Sequence, residues 1–140
     1  MTNIFTVATY ILSREGPMSS MKLQKLCYYC QAWSIAWNGR ELFYEDFEAW
    51  DTGPVCPELF RHTQGKAKVE SCKLAPFSKG SLSAKQKDTI NHVLSHYAKH
   101  SAQWLEQLTI LEDPWFEAKI AQGTHEIITK KSMSNYYSGL

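Results

Sequence analysis

The chain has 140 residues with 15 basic and 14 acidic side chains, a net charge of +1. That is the length of one ordinary domain, and 44% hydrophobic residues are enough to give it a core. The mixed, nearly balanced charge argues against the concentrated basic face that general nucleic-acid binding needs. The absence of a basic-then-apolar leader argues against a secretory signal, and no apolar run approaches the roughly 20 residues of a membrane span.

Ile4, Val7, Ala8, Ile11 and Leu12 recur with helical spacing, and Gly16-Pro17 stops that helix. Ser19 caps a second helix, with Met18 and Leu23 at the two staple positions, and the Asn38-Gly39 pair ends it. Residues 41–55, "ELFYEDFEAWDTGPV", lose the helical period. Their aromatics and short alternations predict two short strands, a hairpin around residues 41–51 closed by the turn residues of "DTGP". Pro57 opens a short helix, and polar residues 63–82 read as a surface loop. Ser83 and Gln86 form a capping box for a helix carrying Ile90, Val93, Leu94 and Tyr97. Ser101 caps the next, and Asp113-Pro114 opens another that stops near Gly123. A final short helix forms around "SNYY". The expectation is a mainly α, single compact helical domain over 1–140 with a small β-hairpin insertion.

The stretch "MKLQKLCYYCQAWSIAW" carries a C-x-x-C pair inside the second helix. Leu23, Leu26, Cys30, Trp33 and Trp37 fall within about 80° of one another on a 3.6-residue period. Tyr28, Ala32 and Ile35 form a second apolar patch, and Gln24, Gln31 and Asn38 a polar seam between them. A helix with two apolar sides is central. Redox C-x-x-C pairs sit at a helix N-terminus, where the dipole favours a thiolate. These cysteines begin about two turns inside, with no cation on the Cys30 face. Zinc needs two more ligands, and Cys56, His62 and Cys72 lack paired spacing. Core thiols are the reading taken over metal or redox work, and in a cytoplasmic protein all four cysteines are reduced.

Asp88, His92, His96 and His100 form a stripe at four-residue intervals, read as a solvated face with at most an adventitious metal site. Glu45, Asp46, Glu48 and Asp51 read as exposed strand-edge charges. No nucleophile elbow, Walker loop, zinc-protease or dinucleotide motif occurs, so no enzyme, cofactor or metal is expected. Five tryptophans and seven tyrosines exceed what a plain helical core needs. These residue types also serve at protein interfaces.

"MKLQKLCYYCQAW", "LFYEDFEAWDTGPV", "DPW" and "NYY", in that order, resemble the Panacea antitoxin domain family, the SocA-like or phage-associated GepA-like proteins. The resemblance runs from about Ile4 to Tyr137. It implies an antitoxin, encoded beside a toxin gene in bacteria or prophages, that neutralises a cognate protein toxin by direct binding. It also implies, as an alternative, an adaptor delivering the toxin to an AAA+ protease such as ClpXP. The family supplies no catalytic residues to carry over. No helix-turn-helix domain is appended, so autoregulation through DNA is not expected. Within the matched motifs and the aromatic set, Lys22, Lys25, Tyr28, Trp50, Pro54 and Trp115 are the candidate partner-binding residues. The oligomeric state is left open.

Overall fold

Local chain chemistry sets where the first two helices begin and end. The computed structural model describes residues 2–122 and 126–140. Helix α1 (Ile4–Glu15) starts at Asn3, whose Oδ1 accepts the Thr6 N–H at 3.0 Å. Helix α2 (Ser20–Asn38) starts at Ser19, whose hydroxyl accepts the Lys22 N–H, and ends at Gly39. Gly39 has φ 68° and ψ 17°, the left-handed conformation that glycine adopts without a Cβ penalty.

A hairpin follows. Strands β1 (Phe47–Trp50) and β2 (Gly53–Val55) pair antiparallel, with Trp50 opposite Gly53. The sequence placed the hairpin earlier, with "DTGP" closing it; Asp51-Thr52 is instead its turn, and residues 41–46 are irregular. A third strand, β3 (Glu126–Ile128), adds to the far side of β1 and was not foreseen. Pro54 is tolerated because β2 is an edge strand, where a missing N–H breaks no ladder.

The remaining helices are α3 (Pro57–Thr63), α4 (Ser71–Leu74), α5 (Ala84–Tyr97), α6 (Ala102–Ile110), α7 (Asp113–Gln122) and α8 (Lys130–Tyr137). The Ser83–Gln86 capping box of α5 and the Ser101 cap of α6 are both formed. The expected stop of α7 at Gly123 lies outside the described residues. Residues 63–82, read as a surface loop, contain α4 and a 3-10 turn over Ala75–Phe77. Val69 and Leu74 are buried there, so this segment closes over α1 rather than hanging in solvent.

Helix α2 is the axis. It packs against α1, α3, α5, α6, α8 and β2, and its residues 23–32 are all buried. The far end of its apolar stripe behaves differently: Trp33 is half-buried and Trp37 is 47% exposed. The polar seam is also interior. Gln24 Oε1 accepts the Cys56 N–H at 2.8 Å, and its amide nitrogen donates back to the Cys56 carbonyl at 3.1 Å. Gln31 does the same for the loop before the hairpin. It accepts from Leu42 N–H and donates to the Phe43 carbonyl, both at 2.7 Å. Gln31 thus satisfies two backbone groups that no strand or helix pairs, and Gln24 does so for the Cys56 N–H, while the Cys56 carbonyl also accepts the Phe60 N–H of α3.

Glu45, read as an exposed strand-edge charge, is 5% exposed and accepts the Ile4 N–H at the start of α1 at 3.0 Å. Burial raises its pKa despite that bond. A second buried carboxylate, Glu112, takes the hydroxyls of Tyr29 and Tyr137 on one oxygen, each at 2.7 Å, and so ties α8 to α2. Tyr29 also stacks on Tyr97 of α5, centroids 4.1 Å apart.

Replacing Gln31 with leucine keeps the volume but leaves the Leu42 N–H and the Phe43 carbonyl buried without partners. At about 1–3 kcal/mol for each unsatisfied group, urea unfolding of Gln31→Leu is expected to show a loss of roughly 2–5 kcal/mol with an unchanged denaturant slope.

Candidate partner-binding site

Four of the six residues singled out from the sequence converge on the hairpin. Trp50 is half-buried at the end of β1. Its indole N–H donates to Glu48 at 2.8 Å, and its ring meets Phe60 of α3 edge-on at 5.0 Å. Trp115, at the start of α7, donates its indole N–H to the Trp50 carbonyl at 2.8 Å. Lys119, one turn further along α7, forms an ion pair with Asp51 in the hairpin turn. Helix α7 therefore holds the hairpin in place from one side. Pro54 lies buried opposite Ala49 in the ladder.

Lys25 approaches the hairpin from beneath. A Cβ built at Gly53 would lie 2.9 Å from Thr109 Oγ1 and 3.0 Å from Lys25 Cε. With φ at 97°, Gly53 is needed both for its conformation and for that close approach. The Lys25 side chain has no exposed surface, and its ammonium has no hydrogen-bond partner among the described residues. Removal from water lowers its pKa from the ordinary 10.5 to about 8, against the opposing pull of Glu106.

The other two candidates lie away from the hairpin turn. Lys22 is half-buried and donates to the Ala98 carbonyl at 2.6 Å, capping the end of α5. Tyr28 is 1% exposed, packed edge-on against Tyr29, Phe47 and Tyr137. Burial lifts its phenol well above the ordinary range. Lys25, Tyr28 and Pro54 are thus interior, and what they do at a surface is indirect: they shape the hairpin and its floor. The sequence marks them as aromatic, charged or turn residues, and does not show that α2 is enclosed on every side.

The cysteine pair is interior as well. Cys27, Cys30 and Cys56 are buried free thiols and Cys72 is exposed. Burial raises the pKa of all three interior thiols, against the thiolate that redox chemistry uses. Among the described residues no group of three or more His, Cys, Asp or Glu side chains is placed to hold a metal ion. His92 and His96 are exposed with ring centroids 5.0 Å apart, while His100 stacks on Trp104 at 3.5 Å.

Several exposed apolar side chains beside the hairpin were not anticipated. Phe116 and Ile120 are one turn apart on α7, next to Trp115. Ile127 is exposed on β3, opposite Glu48. The i, i+4 spacing of Phe116 and Ile120 was in the sequence, but spacing alone does not say which face looks outward. Large apolar side chains left in solvent beside fixed tryptophans are the residue types that carry binding energy at protein interfaces.

The architecture is that of a mainly helical domain, with a small three-stranded sheet held against its central helix. Comparison with known families matches residues 23–116 to the family described as antitoxin SocA-like, Panacea domain. The match covers more than half of the chain, which belongs to that family. It begins at Leu23 inside α2 and ends at Phe116, so it includes the hairpin, Lys25 and Trp115. Neither the curated proteins nor the solved structures gave a match. No helix among the described residues is long and apolar enough to cross a membrane.

The unpartnered Lys25 ammonium makes stability depend on pH. Its folded pKa lies below its unfolded one, so the unfolded chain holds more protons between about pH 8 and 10.5. The Lys25 contribution to stability therefore rises with pH through that window, by up to about 3 kcal/mol, and is lost again as pH falls toward 8. Ionisation in the unfolded state of the three interior thiols, and near pH 10 of the tyrosines, opposes this, because burial holds the folded groups high. Thermal melts between pH 8 and 9.5 are therefore expected to fall more steeply for Lys25→Met than for the natural chain, in which the Lys25 contribution offsets part of the thiol effect.

Proposed function

We propose that this protein is an antitoxin that acts in the cytoplasm by binding a cognate protein toxin directly. The observation that carries this reading is the SocA-like Panacea match over residues 23–116. It is supported by the hairpin, fixed by Trp115, Lys119 and Phe60 beside exposed Phe116, Ile120 and Ile127. A surface fixed before contact loses little freedom on binding, so more of its contact energy appears as affinity. The buried thiols suit a reducing compartment. An interface of standard size buries about 800 Å2 on each partner, which a 16.1 kDa chain can provide.

The toxin meets the outer side of α7 and the hairpin, with Trp50 and Trp115 holding that face rather than inserting from it. Lys25, Pro54 and Tyr28 act from below, and Lys22 secures the end of α5 against α2. Neutralisation works by occlusion and requires no chemistry from this chain.

The test is co-expression with the product of the neighbouring gene. Growth is expected to be restored, and the two proteins to co-elute in size-exclusion chromatography; a toxin that stays lethal and unbound overturns the reading. Phe116→Glu with Ile120→Glu is expected to weaken the purified complex at least tenfold in calorimetry without lowering the melting temperature, since both side chains are exposed. Repeating the growth assay in a strain lacking its AAA+ proteases separates occlusion from delivery: persistent neutralisation excludes the adaptor route.

A further inference from the structure

The near-neutral total hides an uneven distribution of charge. Residues 41–58, which include the hairpin, contain six carboxylates and no lysine, arginine or histidine. Residues 61–100 carry eight lysines and arginines against two carboxylates. Helices α4 and α5 in that basic stretch pack mainly on α1 and α2, whereas the hairpin packs on α2, α6 and α7. The exposed apolar face of Phe116, Ile120 and Ile127 therefore lies at the acidic end of the molecule.

At the edge of that face a depression of about 250 Å3 opens between Tyr44 and Ile127, lined by Glu45, Asp46, Glu48 and Glu58 and, among the described residues, by no cationic side chain. The nearby cations are accounted for. Lys130 lies 2.8 Å from Asp46 and 3.8 Å from Glu41, and Lys119 is paired with Asp51. Arg61, one turn beyond Glu58 on α3, and Lys131, at the start of α8, are exposed outside the depression. The other three lining carboxylates are held by neutral donors: Glu45 by the Ile4 N–H at 3.0 Å, Glu48 by the Trp50 indole at 2.8 Å and Glu58 by the Cys56 thiol at 3.5 Å. None of the three forms an ion pair among the described residues. Glu45 is 5% exposed, with the partial positive charge of the α1 N-terminus on one oxygen. Burial is the main cause of its raised pKa; the Glu58 charge adds to the rise, and Lys130 offsets part of it. Three carboxylates thus share one opening without a cation of the chain to answer them.

We infer that the toxin meets this face with a basic segment. One of its arginine or lysine side chains enters among Glu45, Glu48 and Glu58, and the residues beside it pack on Tyr44 and Ile127. The inference rests on the reading that the chain binds a protein toxin, and it specifies the chemistry of the contact. Charge complementarity selects the occupant, because a basic segment relieves the repulsion among the unpaired carboxylates and an acidic one adds to it. Tyr44, 61% exposed at the mouth, offers a ring face to the same cation. A metal ion fits less well: among the described residues no three acidic side chains converge closely enough to hold one. A basic segment carries its charges spaced along a chain and serves the carboxylates separately. A second copy would have to bring its residues 61–100 to this face, a head-to-tail contact that leaves both outer ends free and builds open chains. Ile127, opposite Glu48 in the ladder, joins the depression to the apolar face of α7, so charge and apolar contact fall within one interface.

The test uses the intact protein and the toxin purified from co-expression, with affinity and association rate measured at low and high salt. Glu48→Gln with Glu58→Gln removes two charges and keeps an acceptor oxygen for the Trp50 indole and the Cys56 thiol. It is expected to weaken binding at least tenfold at low salt, chiefly through slower association, and to flatten the salt dependence. Glu15→Gln with Glu70→Gln makes the same change in net charge at exposed positions outside the face, and is expected to stay within threefold of the natural protein. A second pair leaves the carboxylates untouched: at the exposed position 127, Ile127→Lys is expected to bind at least tenfold more weakly than Ile127→Glu at low salt. A Glu48/Glu58 variant that binds within threefold of the natural protein, or Ile127→Lys binding as well as Ile127→Glu, overturns the inference and leaves the antitoxin reading intact. An equal loss in the Glu15/Glu70 variant assigns the effect to net charge and overturns it too. A natural protein that does not bind the toxin overturns both. Sedimentation of the protein alone that shows chains at low salt, absent in the Glu48/Glu58 variant, assigns the face to a second copy. Calcium that binds the protein alone in calorimetry, and no longer binds that variant, assigns the depression to a metal ion. Either result overturns the inference.

Discussion

Two glutamine side chains on one helix hold the non-helical part of this molecule. Gln24 and Gln31 are seven residues apart, two turns and about 10.5 Å along α2 on the same side. One takes both backbone groups of Cys56, just after the hairpin, and the other takes Leu42 and Phe43, just before it. The segment they bracket has too few strand pairs to satisfy itself, and without them the Leu42 and Cys56 N–H groups and the Phe43 carbonyl would be bare, while the Cys56 carbonyl would keep the Phe60 N–H. An amide side chain offers a donor and an acceptor side by side, so it replaces a missing neighbouring strand. The position of β1 and β2 on the helical body depends on this, as does every residue presented from the hairpin.

Much of the helical framework could be read from the chain because its signals are local. Asn38-Gly39, Ser19, Ser83 with Gln86, and Ser101 each mark a helix end through a bond made within a few residues, and Asp113-Pro114 marks one by residue type. The two-sided apolar pattern of α2 likewise identified a central helix. The sheet was less legible. Strand β3 joins β1 from more than seventy residues away, a pairing no local pattern reports. Glu45 illustrates the same limit: beside other acidic residues it looks like surface charge, yet it is drawn inward to the first turn of α1, forty-one residues earlier. The glutamine seam was visible as a spacing, but its partners lie in segments without a period.

The same distinction divides the candidate site. Lys25, Trp50, Pro54 and Trp115, chosen by residue type, meet at the hairpin. Residue type did not identify which of them faces outward, since burial is a property of the assembled helices. Within the matched segment Lys25, Tyr28 and Pro54 contribute floor and bracing, while Leu111, in the same segment between α6 and α7, is exposed.

Sulfur is unevenly distributed between the inside and the outside of the molecule. Three thiols are sealed in the interior and held in their protonated form, and the fourth, Cys72, stands on the short α4 at the surface. An electrophilic dye, spin label or tether added to the folded protein therefore finds a single point of attachment, on the segment that covers α1. The natural chain already carries the address that a distance or orientation measurement on a complex would otherwise have to engineer.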